Sequence, residues 1–177
     1  MIDYKSISDR IKNNSGLVTA LNVLDKAITY TTVIIYILFL IDTFFLALQG
    51  NSTLLYRSLI VPGVSFIVIS IYRKMAGAPR PYQVYNFTPA LKKDTYAKSF
   101  PSRHVFSIFM VAYTCMQYWM IIGIILIFMG IILAVVRVIG GVHFIKDVIA
   151  GAVIATIIAF VCYWILGGVF GLLMLPF

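Results

Sequence analysis

The sequence predicts an all-α integral membrane protein: a bundle of about five transmembrane helices with a short interfacial helix at the N-terminus. Of its 177 residues, 62% are hydrophobic and only 11% are charged, and the mean hydropathy is +1.00. A soluble core does not require so much apolar surface. Each transmembrane helix uses roughly 20 residues, so we expect residues 1–177 to form a single membrane domain without a second globular domain.

Residues 1–26 are polar and charged, and they are predicted to lie at the membrane interface. Ile2, Tyr4, Ile7 and Ile11 recur at helical spacing between basic residues, which favours a short helix lying on the membrane surface. A frayed polar tail is the alternative. The apolar segment that follows is too long for an ordinary signal sequence, so we expect the first helix to remain as an anchor.

The apolar runs define the predicted spans, which cover residues 27–48, 54–72, 105 to about 117, about 123–136, and 147–166. The stretch from Val105 to Val136 carries no charge and as one helix would be about 48 Å long, more than a hydrocarbon core of roughly 30 Å accommodates. It must therefore reverse, and residues 117–123 are the predicted turn between two short spans of about 15 residues each. Pro62 predicts a kink in the second span, and Gly140 and Gly141 predict the break before the last span.

Five spans place the N-terminus, the loop of residues 73–103 and the turn from Arg137 to Asp147 on one face of the membrane. Two polar segments that are distant in sequence therefore meet. Because the two intervening spans are short, His104 and Arg137 are expected to lie below the membrane surface in a recessed cavity. Polar loops as long as residues 73–103 are usually functional, and we interpret this one as an active-site loop.

The net charge of +8 does not indicate a nucleic-acid-binding protein, because the basic residues are scattered among apolar spans. Anionic lipid and phosphate are the better-matched partners. Cys115 and Cys162 lie inside apolar runs and are interpreted as packing residues. The sequence has neither a carboxylate cluster for magnesium nor a ligand set for zinc, so we predict no metal and no cofactor.

Ionisable residues at membrane depth are costly and usually pair or take part in chemistry. His143 and Asp147 are four residues apart and share one face of a helix, so the carboxylate can accept a hydrogen bond from the imidazole. That arrangement leaves the other ring nitrogen free as a nucleophile. Asp42 and Arg57 are predicted to lie near the opposite face, where an ion pair or snorkelling is the favoured interpretation.

Ser102 precedes an apolar helix and is a candidate N-cap, so the amides of Arg103, His104 and Val105 are expected to point outward at a helix N-terminus. Such a terminus binds anions, phosphate above all. His104 in the first turn is placed to protonate a departing oxygen.

Arginine is predicted to supply the positive charge of the site. Its planar, permanently charged guanidinium group suits phosphoryl oxygens, and the candidates are Arg73, Arg80, Arg103 and Arg137. By contrast, Lys92, Lys93 and Lys98 are interpreted as positive charges that set topology. Gly123, Gly130 and Gly151 are interpreted as sites of close helix packing.

In these residues the chain resembles the type 2 phosphatidic acid phosphatase superfamily. Its members are membrane phosphatases whose active site resembles that of the vanadium haloperoxidases. That family carries three motifs, Lys-x6-Arg-Pro, Pro-Ser-Gly-His and Ser-Arg-x5-His-x3-Asp. The corresponding segments here are Arg73-x6-Arg80-Pro81, Pro101-Ser102-Arg103-His104 and Val136-Arg137-x5-His143-x3-Asp147. Three motifs in order on a multi-span chain form a highly specific match.

The resemblance implies a role for each matching residue. His143 would attack phosphorus to give a phosphohistidine, Asp147 would orient His143, and His104 would protonate the leaving group. The groups that would hold the phosphoryl oxygens are Arg73, Arg80, Arg137, Ser102 and the amide of Arg103. Secondary candidates are Lys74, Pro81 and Gly141.

Three positions depart from the family pattern. Arg73 stands where the family has lysine, and the neighbouring Lys74 would shorten the spacing by one residue. Arg103 replaces glycine, and the added charge favours a diphosphate or limits the size of the headgroup. Val136 replaces serine and removes one hydrogen-bond donor.

The resemblance implies a metal-independent phosphatase of the plasma membrane, with the bilayer and a lipid phosphate or diphosphate as its partners and no nucleic acid. Undecaprenyl diphosphate is the expected substrate for a chain of this layout, and phosphatidylglycerophosphate and phosphatidate are the alternatives. A non-catalytic protein that binds or transports anionic lipids is an alternative of another class, and vanadate-dependent oxidation is a third. The active site is expected to face outward, although the positive-inside rule favours the cytoplasm. A monomer and a dimer are equally compatible.

Overall fold

The computed structural model describes residues 4–92 and 97–165, and this part of the chain is helical and contains no strand. The predicted end of the last span at residue 166 lies outside it. The helices are α1 (Tyr4–Lys12), α2 (Ser15–Leu48), α3 (Ser52–Ala76), α4 (Pro81–Val84), α5 (Arg103–Cys115), α6 (Met120–Ile139) and α7 (Ile145–Ala159), which continues as a π-helical segment (Phe160–Ile165).

Four helical stretches are long and apolar enough to cross a membrane, which confirms the predicted fold class. They are Ser15–Leu48, Ser52–Val84, Met120–Ile139 and Ile145–Ile165. At most a third of each apolar window is buried within the protein, so the outward faces of these helices suit contact with lipid. The fifth predicted span is α5, whose 13 residues extend only about 20 Å at 1.5 Å per residue.

Helix α5 lies in the middle of the bundle. It packs against α2, α3, α6 and α7, and most of its side chains are buried. Its sequence is therefore apolar on nearly every side. The helix begins at the second sequence motif, so its first turn places His104 at the polar end of the bundle.

The chain reverses between α5 and α6 at residues 116–119, which overlap the predicted turn of residues 117–123. The two helices have 13 and 20 residues, not about 15 each as predicted. Trp119 holds the turn, since its ring packs edge-on against Phe39 and its indole Nε1 donates to Asp42 Oδ2 at 3.0 Å. Gly123 is needed beside it, because a Cβ atom there would lie 2.6 Å from the carbonyl oxygen of Ala112.

Of the two interpretations given for Asp42 and Arg57, an ion pair or snorkelling, the ion pair is not formed among the described residues. While Asp42 accepts from the indole of Trp119, Arg57 Nη2 donates to the carbonyl oxygens of Cys162 and Tyr163 at 3.2 and 2.8 Å. The guanidinium carbon also lies 5.4 Å from the centroid of the Tyr163 ring. Arg57 thus binds two carbonyls near the end of the described part of the last helical stretch.

Pro62 lies within α3, and the helix continues through it. Proline has no N–H, so the carbonyl four residues earlier, that of Ser58, loses its helical donor. The hydroxyl of Tyr36 on α2 donates to this oxygen at 2.8 Å. The carbonyl oxygen that Pro62 leaves without a helical donor therefore receives a hydrogen bond from the neighbouring helix.

The N-terminal segment is more helical than the sequence indicates. Helix α2 begins at Ser15, well before the predicted start at residue 27, and Asn14 caps it by accepting from the amide of Leu17 at 3.2 Å. The predicted short helix is present as α1. The ring of Tyr4 on α1 stacks on Tyr85 and meets the edge of Phe144, so α1 rests on the segments that carry the sequence motifs.

Gly151 allows α7 to approach the start of α5. A Cβ atom at this position would lie 2.6 Å from the carbonyl oxygen of Ser102 and 3.2 Å from the amide nitrogen of Phe106. The two segments are also joined by a hydrogen bond from the amide of Ser102 to the carbonyl oxygen of Asp147, at 2.8 Å.

We expect Gly151→Ala to lower the free energy of unfolding by about 1–3 kcal/mol, because the added methyl group forces α5 and α7 apart. Thermal unfolding in detergent measures the change. Gly63→Ala is the matched control, since a Cβ atom at Gly63 in α3 meets nothing within 4 Å. Equal stability of the two variants would contradict the close approach.

Candidate active site

The three motif segments converge around a polar cavity of about 200 Å³ at one end of the bundle. Arg73 comes from the last turn of α3, Arg80 precedes α4, His104 lies in the first turn of α5, and His143 lies in the turn between α6 and α7. The residues that line the cavity are Ser70, Arg73, Lys74, Arg80, Lys98, Arg103, His104 and His143. The two histidines of the chain therefore border one space.

His143 is held on both sides of its ring and is only 1% exposed. Its Nδ1 lies 3.5 Å from Asp147 Oδ2 and 3.4 Å from the hydroxyl of Ser99. Its Nε2 lies 3.5 Å from Nη1 of Arg80. With Nδ1 facing the carboxylate, the favoured tautomer carries its proton on Nδ1 and leaves the lone pair of Nε2 unprotonated.

Burial lowers the pKa of His143 below its ordinary value of 6.5, and the positive charges of Arg80 and Arg137 act in the same direction. The contact with Asp147 raises the pKa but does not outweigh the burial. A protonated imidazole in this position would be a buried cation among cations. His143 is therefore neutral at neutral pH, which is the form that a nucleophile requires.

Asp147 is fixed by three groups that point at one of its oxygens. Oδ2 accepts from the hydroxyl of Ser99 and from the amide of Phe144, the latter at 2.9 Å, and faces the His143 ring. Ser99 thus contacts both members of the pair. The motif spacing gave no signal for Ser99, because it lies in the loop before the second motif.

Arg80 and Arg73 are bound to backbone carbonyl oxygens. Arg80, 2% exposed, donates from Nη1 to the carbonyl of Val142 at 2.8 Å and from Nε to that of Ala97 at 3.1 Å. Arg73 donates to the carbonyls of residues 98, 99 and 101. Among the described residues, neither side chain has a carboxylate within ion-pair distance. No ion pair therefore neutralises their positive charges beside the cavity.

Arg137 is placed differently from the other arginines of the motifs. Its guanidinium forms an ion pair with Asp25 of α2 at 2.8 Å and is 3% exposed. Its carbonyl oxygen accepts from the amides of Val142 and His143. Arg137 therefore supports the turn that carries His143 from behind, and its predicted contact with phosphoryl oxygens stays a prediction.

Asp25 was missed because the sequence reading assigned it to the interfacial segment. In the structure it lies within α2, which brings its carboxylate to the buried end of α6. The one available signal was a carboxylate just before an apolar run, in a chain with only six acidic residues.

Helix α5 begins at Arg103, directly after the predicted N-cap residue Ser102. Ser102 occupies the N-cap position, but its side chain forms no capping hydrogen bond. Its buried Oγ has no hydrogen-bond partner among the described atoms. Arg103 extends past the helix end, with its guanidinium carbon 5.3 Å from the centroid of the Phe66 ring.

The secondary candidates occupy defined places. Lys74 lines the cavity, and Pro81 is the buried first residue of α4. Gly141 has a φ of +76°, and a Cβ atom there would lie 2.8 Å from the Phe87 ring, so the turn before His143 requires glycine. Val136 packs in an apolar cluster with Leu91 and Val142.

Of the three lysines that were interpreted as topology signals, Lys98 lines the cavity. Lys92 is exposed, and its amide donates to Asn22 at 3.1 Å. Lys93 lies outside the described residues. Within residues 4–92 and 97–165, no three His, Cys, Asp or Glu side chains are grouped as metal ligands. The cavity offers cationic and hydroxyl donors, which suit an anion.

We expect Asp25→Ala to destabilise the protein by about 3–5 kcal/mol, because it leaves the Arg137 charge buried without its partner. Thermal unfolding in detergent measures the loss. The double variant Asp25→Ala/Arg137→Leu removes the unpaired charge and should recover most of the stability. A double variant no more stable than Asp25→Ala would show that the two side chains are not coupled.

Comparison with known proteins places these features in a family. Residues 52–170 match the PAP2 superfamily. The crystal structure of Aquifex aeolicus LpxE has 19% sequence identity and a TM-score of 0.64, and the similarity covers 90% of this chain and 91% of that one. A transmembrane PAP2-type phosphatidylglycerolphosphate phosphatase from Bacillus subtilis has 18% identity and a TM-score of 0.51, with 98% and 94% covered. No curated protein has significant sequence similarity to the chain.

The matched region contains all three motifs and the cavity that they border, and both solved structures share the helical fold. The chain belongs to the PAP2 superfamily, the type 2 phosphatidic acid phosphatases, and is a membrane lipid phosphatase.

Proposed function

We propose that the protein hydrolyses a lipid diphosphate, undecaprenyl diphosphate, through a phosphohistidine on His143 and without a metal ion. One observation carries this proposal. His143 and His104 border the same cavity of about 200 Å³ together with Arg73, Arg80 and Arg103. A phosphoryl group in that space meets a neutral nucleophile, an acid and three permanent cations.

In the proposed first step, Nε2 of His143 attacks the terminal phosphorus, and the bond from phosphorus to the bridging oxygen breaks. His104 gives a proton to that oxygen, which leaves with the lipid monophosphate. The imidazole ring of His143 becomes cationic as the new bond forms. Asp147, with Oδ2 3.5 Å from Nδ1, stabilises this charge.

In the second step a water molecule attacks the phosphohistidine, and His104, now neutral, accepts a proton from it. The bond between phosphorus and Nε2 breaks and inorganic phosphate is released. Arg73 and Arg80 are rigidly held by backbone carbonyls, so their charges are already in place when negative charge develops on the phosphoryl oxygens. The unpartnered Oγ of Ser102 is a further donor for these oxygens.

The distribution of positive charge supports a diphosphate. Arg103 follows Ser102 in the sequence. Arg103 and its neighbour His104 both line the polar cavity. The oxygen that His104 protonates belongs to the leaving group, so Arg103 is placed for the second phosphate. Lys74 and Lys98 add two further cations to the same cavity. A lipid monophosphate would use fewer of these charges.

The proposed substrate is tested by phosphate release in detergent with EDTA present, from undecaprenyl diphosphate, phosphatidylglycerophosphate and phosphatidate. We expect the diphosphate to have the highest kcat/KM. His143→Ala should reduce the rate by roughly a thousandfold or more, since it removes the nucleophile. Arg103→Gly should lower the preference for diphosphate over monophosphate by about tenfold, because one charge-assisted hydrogen bond is lost.

Each outcome of that assay bears on a separate part of the proposal. Equal release by the parent and His143→Ala would exclude the phosphohistidine. Activity lost in EDTA and restored by a divalent cation would exclude a metal-free reaction. A higher kcat/KM for phosphatidylglycerophosphate would favour the activity named for the Bacillus subtilis structure, and an unchanged preference in Arg103→Gly would remove the second-phosphate role of that residue.

We also propose that the protein lies in the plasma membrane with the active site on the outer face. The positive-inside rule favours the opposite orientation, but the cations of the cavity are accounted for by catalysis and are poor evidence of topology. Lys92→Cys, at an exposed residue on the site-bearing side, in a chain with Cys115→Ala and Cys162→Ala, tests this. A membrane-impermeant thiol reagent should label it in intact cells, and labelling only after lysis would reverse the assignment.

A further inference from the structure

Ser99 lies where the three motif segments meet, although it belongs to none of the motifs. It is fully buried in the loop before α5, two residues ahead of Pro101. Its hydroxyl donates to Asp147 Oδ2, and the same hydroxyl oxygen lies 3.4 Å from Nδ1 of His143. The side chain therefore contacts both members of the pair that contains the proposed nucleophile.

The backbone of Ser99 is held by the segment that carries the first motif. Its amide donates to the carbonyl oxygen of Ala78 at 2.9 Å, and its carbonyl oxygen accepts from Nη1 of Arg73 at 3.2 Å. Ala78 lies between Arg73 and Arg80 in the sequence. Because both backbone groups are bound, the hydroxyl is fixed relative to the arginines of the cavity as well as to Asp147.

The carboxylate of Asp147 depends on Ser99 for its orientation. Oδ2 also accepts from the amide of Phe144 at 2.9 Å, whereas the buried Oδ1 has no hydrogen-bond partner among the described atoms. Within the described part of the chain, Ser99 provides the one hydroxyl that donates to this carboxylate. Loss of that donor leaves a single backbone amide and the imidazole of His143 to oppose rotation of the group.

The single proton of the Ser99 hydroxyl determines how its oxygen meets the imidazole. An ionised carboxylate can only accept hydrogen bonds, so this proton lies towards Asp147. The lone pairs of Oγ then face Nδ1 of His143, which makes a favourable contact only when Nδ1 carries the ring proton. Ser99 and Asp147 thus favour the same tautomer, the one that leaves Nε2 able to attack phosphorus.

We propose that Ser99 is a positioning residue of the proposed reaction, which holds the Asp147 carboxylate against Nδ1 of His143 while Nε2 attacks phosphorus. The proposal rests on the proposed function, because it takes His143 as the nucleophile. The hydroxyl gains and loses no proton in either step. Ser99 is not among the residues that line the polar cavity, so it acts on the rate of the chemical step and not on substrate binding.

The kinetic test is Ser99→Ala, with phosphate release from farnesyl diphosphate measured in detergent. We expect kcat to fall about tenfold to a hundredfold, because a hydrogen bond to a charged group is lost, while KM stays nearly unchanged. Ser99→Thr keeps a hydroxyl and should retain more of the rate than Ser99→Ala. Ser65→Ala is the matched control and should keep the parental kcat, since the buried Ser65 donates only to the carbonyl of Val61 in its own helix.

A double-variant cycle separates positioning from a structural role. In a chain that already carries Asp147→Ala, Ser99→Ala should lower kcat by less than about twofold, because the group that Ser99 orients is gone. A loop that had merely lost stability would reduce kcat by the same factor in both backgrounds. Equal losses in the two backgrounds, or a parental kcat in Ser99→Ala, would overturn the proposal.

The hydrogen bond at Nδ1 has a second readout that needs no substrate. The chain contains two histidines, so His104→Asn leaves His143 as the sole source of imidazole nitrogen NMR signals. We expect Nδ1 to carry the proton in this chain, and its signal should move towards that of a weaker hydrogen bond when Ser99→Ala is added. Identical signals from the two chains would contradict the positioning role.

Failure of the proposed function is distinguishable from failure of this proposal. Equal release by the parent and His143→Ala would refute the nucleophile and with it the role of Ser99. An inactive His143→Ala beside a fully active Ser99→Ala would keep the nucleophile and refute the positioning role alone. A parent that hydrolyses phosphatidate but no diphosphate would refute the proposed substrate, and the same variants on phosphatidate then decide the role of Ser99, because the pair acts on phosphorus in either lipid.

Discussion

The concentration of guanidinium groups around one neutral imidazole is the constraint on which the rest of the site depends. Arg73 and Arg80 lie beside His143 without a carboxylate partner in the described part of the chain. Like charges repel strongly where water is scarce, so the arginines need other partners. The carbonyl oxygens of residues 97–101 and 142 supply them. The loop conformation and the positions of the charges are therefore established together.

The short helix α5 links this polar site to the apolar interior. Its N-terminus carries His104 and Arg103 to the cavity, and its remaining turns pack in the core. Close contact with α7 at Gly151 brings Ser102 to the backbone of Asp147. His104 and the backbone next to Asp147 are consequently positioned by one buried helix.

The side chains of the motifs were predictable because each lies at a spacing that a helix or turn makes meaningful. The spacing of four residues correctly predicted that His143 and Asp147 lie together, although His143 lies in the turn before α7 and not on the helix. The apolar run after Ser102 indicates a helix N-terminus. Ser99 was not predictable, since its contact with Asp147 joins residues 48 positions apart. The same holds for Asp25, which pairs with Arg137 across 112 positions. Lys98 was assigned to topology because composition alone does not show which loop lysine turns toward a cavity.

The sequence by itself determined the membrane class, the helical fold, the family and the identity of the two histidines, because hydrophobic runs and short-range spacing are local properties of the chain. Only the tertiary structure decided that Arg137 pairs with Asp25 and that α5 is short and central. These features arise where α2, α3, α5 and α6 pack together. Side-chain packing between distant segments depends on shape and charge in three dimensions, which no local pattern encodes.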